Sequence, residues 1–147
     1  MYKKILVPLD GSPLAEAVLP HAQALAKAEG AEIVILRVPV VPNLEMLARS
    51  PGLATKIIED AEIETEEYLK AEVTKLSKEG TKVTSIIREG SIPEMILQVA
   101  DEMHADVIAM STHGRSGMQR WLMGSVADRV VHHSHIPVML IHPFSNN

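Results

Sequence analysis

Between Met110 and Val126 the chain reads MSTHGRSGMQRWLMGSV. This stretch holds Gly114, Gly117 and Gly124, the hydroxyls of Ser111, Ser116 and Ser125, and Arg115 and Arg120 beside His113. Such a set suits an anion. Glycines let the backbone approach a bulky ligand closely and tolerate φ > 0. Serines add donors. A helix that starts near Ser125 adds unpaired N–H groups and the positive end of its dipole. Phosphate is the chemistry this arrangement serves. The plainer alternative is a surface loop whose Gly-Ser pair only caps a helix. The loop lacks the Lys of GxxxxGK[ST], and its glycines do not follow GxGxxG. Neither Ser116 nor Ser125 stands in GxSxG, which argues against a serine nucleophile. His132, His133, His135 and His142 make no HxxxH or HExxH pair, so they read as surface residues rather than metal ligands.

The elements around this loop alternate between strand and helix. Residues 3–9 are a short apolar run. In 12–30 the apolar residues Leu14, Val18, Ala22, Leu25 and Ala28 step by three and four, a helix period, with Ser12 as N-cap, Pro13 at the first turn and Gly30 at the stop. Pro20 inside this pattern should kink the helix or cost it a hydrogen bond. Residues 31–38 are β-branched and apolar on both faces, as in a buried parallel strand. From 43 to 79 the pattern is helical, divided by SPG at 50–52. Ile58, Ala61, Thr65, Leu69, Val73 and Leu76 form the expected inward stripe of the longer piece, and its acidic run reads as a solvated face.

Residues 81–88 alternate and suit an edge strand. In 91–103, Ser91 and Glu94 have capping-box spacing. Residues 105–111 and 136–142 are further strands, and Ser125 with Asp128 predicts a cap for a helix reaching about Ser134. The order βαβαβαβαβ argues for one domain over residues 1–147, an open parallel sheet covered on both faces. In such sheets ligands sit beyond the carboxyl ends of the strands, where strand order reverses. The candidate loops are therefore 10–13, 39–43, 89–91 and 111–125.

Composition narrows the function classes. Fourteen basic against nineteen acidic residues give a formal charge of −5, which argues against a general nucleic-acid partner. There is no cysteine, which excludes disulfides and thiolate chemistry and is compatible with a reducing compartment. The five apolar residues before Asp10 are too few for a signal peptide. No apolar run approaches the ~20 residues of a membrane helix. The expectation is a cytoplasmic protein with no membrane partner.

ILVPLDGSPLAEAVLPHA near the start, and MSTHGRSG with LMGSVADRVVHHSHIPVMLI near the end, resemble the universal stress protein family over essentially the whole chain. Its ATP-binding members carry Gly-x2-Gly-x9-Gly-[Ser/Thr]. Here Gly114, Gly124 and Ser125 match, and Ser111 stands at the first Gly. The resemblance implies a Rossmann-like fold of the adenine nucleotide alpha hydrolase kind, with strand order 3-2-1-4-5. The alternative 2-1-3-4-5 would put the site at 10–13 and 89–91; an edge-like third strand favours the former.

The resemblance also implies ATP between the ends of the first and fourth strands. Asp10 would face the ribose and phosphates through a divalent metal, Mg or Mn. Pro8 and Leu9 would lie beside the nucleoside, and Val38 would meet the adenine by its backbone. Met110, Ser111 and Gly114 would form the near wall. Gly124, Ser125 and Val126 would hold the phosphates. Family members dimerise through the last strand, so a homodimer through residues 136–142 is expected, which would also cover an apolar edge. The implied function is an ATP-dependent stress-response regulator. A nucleotide-free dimeric module and a slow ATP hydrolase are the alternatives.

Overall fold

The structure, a computed structural model, describes residues 1–40, 44–112 and 124–143. In chain order the elements are β1 (Lys4–Pro8), α1 (Pro13–Glu16), α2 (Leu19–Glu29), β2 (Glu32–Arg37), α3 (Leu44–Arg49) and α4 (Pro51–Lys78). They continue with β3 (Val83–Ile87), α5 (Ile92–Glu102), β4 (Val107–Ser111), α6 (Ser125–His133) and β5 (Val138–Ile141). The five strands form one parallel sheet in the order β3-β2-β1-β4-β5. This is the expected order and excludes 2-1-3-4-5. No helix among the described residues is long and apolar enough to cross a membrane.

Two-residue alternation divides the sheet's side chains between two cores. Ile5, Val7, Ile33 and Ile35 pack with Val18 and Ala22 of the α1–α2 region and with Leu69 and Leu76 of α4. Leu6, Val34, Leu36 and Ile108 pack on the opposite face with Ile96 and Val99 of α5 and Val130 of α6. The central strands are thus buried on both sides, as their unbroken apolar sequence demands.

Four local expectations need correction. The predicted helix over 12–30 is two helices, and the break precedes Pro20 rather than falling on it. Pro20 has no N–H for the Glu16 carbonyl and its ring collides with that carbonyl, so the chain restarts at Leu19 with Pro20 in the first turn. Ile58 belongs to the inward stripe of α4 by period, yet it is 39% exposed. The buried residues of α4 begin only at Thr65, because the helix outruns the sheet beneath it. Ser91 is the N-cap residue of α5 but its hydroxyl donates to the Glu94 carboxylate and makes no cap bond to the backbone. At α6 the cap residue is Gly124, and Ser125 is already inside the helix.

Candidate functional site

β1 and β4 are neighbours, paired Ile5 to Val107 and Leu6 to Ile108. The chain leaves them toward opposite faces: α1 and α2 join one core, α6 the other. That divergence opens a crevice at the carboxyl ends of the two strands. A cleft of about 280 Å³ lies there. Of the residues named from the sequence, Pro8, Leu9, Asp10, Val38, Met110, Ser111, Gly124, Ser125 and Val126 all line it. Gly114 lies outside the described residues, as do His113, Arg115, Ser116, Gly117, Arg120, Trp121 and Met123.

The sequence reading missed Leu36, Ile92, Ile96 and Thr112, which also line the cleft. Ile92 and Ile96 are one helical turn apart, and that spacing was the available signal. It marks an apolar stripe without telling cleft from core. The lining is largely aliphatic, which suits the flat apolar face of a heterocycle better than a charged group.

The polar end of the cleft is the N-terminus of α6. Asp128 N–H is the first to find an intrahelical carbonyl, that of Gly124, at 2.9 Å. The N–H groups of Ser125, Val126 and Ala127 precede any intrahelical acceptor and point out of the helix end. Gly124 has φ −57° and ψ 151°, a conformation open to any residue, so the expected left-handed role does not apply to it. Its N–H donates to the Thr112 carbonyl at 2.7 Å, and the Thr112 N–H donates to the Ile141 carbonyl at 2.9 Å. Thr112, 1% exposed, also places Oγ1 3.3 Å from His142 Nδ1. Thr112 and Gly124 are therefore fastened to each other and to the carboxyl edge of the sheet.

Two expected ligand groups have structural duties. Ser111 Oγ donates to the Ala15 carbonyl at 3.1 Å in a buried setting. The break after α1 explains the need, since Ala15 loses its regular helical acceptor role there and a buried carbonyl must be satisfied. Asp10 Oδ1 accepts from the Ser12 N–H at 2.8 Å and from the Ser12 hydroxyl at 2.5 Å. Ser12 Oγ in turn accepts from Ala15 N–H at 3.2 Å, capping α1. The carboxylate is thus held in one orientation at the mouth of the cleft.

His132 and His133 are exposed on α6, each with Nδ1 near the carbonyl four residues back, at 2.7 and 2.9 Å. Among the described residues no three His, Cys, Asp or Glu side chains converge as a metal site. A divalent ion at Asp10 would therefore take most of its oxygens from a bound phosphate chain and water, the usual manner of Mg with nucleotides.

The model of the universal stress protein family matches residues 1–142. Universal stress protein MJ0531 of Methanocaldococcus jannaschii is 37% identical over 144 residues, covering 96% of this chain and 82% of that protein. The solved structure of protein MJ0577 superposes with a TM-score of 0.85 at 28% identity, over 99% of each chain. A universal stress protein from Archaeoglobus fulgidus, solved in complex with dAMP, superposes with a TM-score of 0.69 at 25% identity, over 95% of this chain and 98% of that one.

Proposed function

The chain belongs to the universal stress protein family, and from that premise we propose that its cleft binds an adenine nucleotide, ATP with Mg or Mn, and that the protein is a nucleotide-dependent regulator. The observation that carries this reading is the meeting of an aliphatic slot with the open N-terminus of α6 at the switch point of the sheet. Adenine suits the slot, between Val38 and Met110. The N–H groups of Ser125 to Ala127 suit phosphate oxygens. Asp10, oriented by Ser12, stands where a ribose or a phosphate-bound metal would be. The relative solved with dAMP supports the same ligand class.

Protein purified without added nucleotide and then denatured should release ATP or ADP. Release of FMN, or of no small molecule together with no Mg-ATP binding by calorimetry, would refute the reading. The Gly124→Val variant sharpens the test. Its backbone conformation is available to Val, so the variant should fold and lose ATP by filling ligand space. Ser125→Ala should weaken binding by about 0.5–1.5 kcal/mol for a lost hydrogen bond.

The same proposal includes a homodimer through residues 136–142. β5 is the sheet's last strand and its four residues, Val138 to Ile141, are only half-buried. A two-fold pairing of these strands would cover both apolar edges. Sedimentation at micromolar concentration should show a dimer, and Leu140→Lys should shift it to monomer.

A further inference from the structure

Beneath the Asp10 turn lies an arginine to which the nucleotide reading gives no role. Arg37 ends β2 and is 4% exposed. Its guanidinium is gripped on three sides. Nη1 and Nη2 donate to Glu64 Oε1 and Oε2 at 3.2 and 3.0 Å. The Tyr68 ring lies below, with its centroid 4.8 Å from Cζ. Gly11 lies above: a Cβ built there would stand 3.2 Å from Nη1, 3.3 Å from Cζ and 3.3 Å from Nη2. Near-equal distances to three atoms of a planar group mean that Gly11 rests on its flat face. Gly11 also has φ +86°, so both the space and the backbone require glycine.

Gly11 is the centre of the turn in which Asp10 lines the cleft and Ser12 holds the Asp10 carboxylate by two hydrogen bonds. We propose that Arg37 is a positioning residue for this turn. It is a rigid slab, fixed by a fork onto Glu64 and by stacking on Tyr68, that sets the height of Gly11 and hence of the Asp10 carboxylate. The inference rests on the nucleotide reading and adds to it a residue outside the cleft that governs ligand affinity. A lysine cannot replace the slab. Its ammonium carries the charge but neither the planar face nor the bidentate fork.

The test is calorimetric titration of wild type, Arg37→Met, Arg37→Lys and Gly11→Ala with adenosine, Mg-ATP and inorganic tripolyphosphate. Misplacing the turn should weaken adenosine and Mg-ATP alike, by about tenfold, a loss in keeping with sub-ångström to 1 Å misplacement. Tripolyphosphate, which needs only the α6 terminus, should bind all four proteins equally. A merely structural role would weaken all three ligands together, and that result overturns the proposal. So does wild-type adenosine affinity in Arg37→Lys, which would make charge alone sufficient. Should Arg37→Met fail to fold, Arg37→Lys and Gly11→Ala carry the same test. Wild-type protein that binds neither adenosine nor ATP overturns the nucleotide reading and this inference with it. Wild-type binding with unchanged variants overturns this inference alone.

Discussion

Ser111 shows how one side chain answers to two neighbours at once. In the family pattern its position is a glycine, and from the ligand's side Ser111→Gly should leave ATP affinity equal or higher. From the protein's side it removes the donor to the buried Ala15 carbonyl. Leaving such a group unsatisfied costs about 1–3 kcal/mol. The expected outcome is a variant that binds no worse but unfolds at lower urea, and paired calorimetry and urea titration would show it. The sequence made Ser111 legible as a cleft residue through its spacing to Gly114 and Gly124. It could not reveal the bond to Ala15, because that bond exists only where α1 stops. The stop depends on Pro20 acting through the Glu16 carbonyl. Ser12 was legible as a cap, since capping is local.

Among the elements, α4 departs furthest from what periodicity implied. Its stripe was read correctly from Ala61 to Leu76, but Ile58 is exposed. A period says which face points inward and cannot say where the sheet ends. Strand identities were legible for the opposite reason: β-branched runs buried on both faces have few other readings. The buried part of α4 also carries an anomaly. Glu72 is 8% exposed, and its Oε2 and the Tyr68 hydroxyl are buried beside the Glu16 carboxylate without a well-formed hydrogen bond. Burial, and then the charge of Glu16 on α1, push the Glu72 carboxyl above its ordinary value of 4.5, with Lys75 opposing. Between the ordinary value and the raised one, the folded protein binds more proton at this carboxyl than the unfolded chain does. The stability this group contributes is present in acid and lost as pH rises through its raised folded-state value. Glu72→Gln removes that loss and gives Glu16 a neutral donor. It should be more stable than wild type by roughly 1 kcal/mol at pH 7, with the gap closing near pH 4. Urea midpoints at the two pH values would check the sign, and a gap that widens in acid would contradict it.

For the molecule as a whole, the topology and the position of the cleft followed from the order of elements and the long Gly-Ser loop. The distribution of charge along the fold did not. Glu59, Asp60, Glu62, Glu64, Glu66 and Glu67, with Lys56 as the lone cation, occupy the first part of α4. They amount to the chain's entire formal charge of −5, and the remainder is neutral. The contact of Glu64 with Arg37 at the end of β2 fixes where this acidic segment stands. It projects from the carboxyl edge of the sheet, the same edge on which the cleft opens. An anionic nucleotide approaching that edge should therefore feel repulsion from this segment. Its encounter rate should rise with added salt, the reverse of the usual behaviour of a steered ligand. Stopped-flow association of Mg-ATP at low and at physiological ionic strength would display this. Uncharged adenosine should show no such acceleration, so the acidic half of α4 would act as a kinetic filter that slows highly charged ligands in dilute salt and leaves neutral ones untouched.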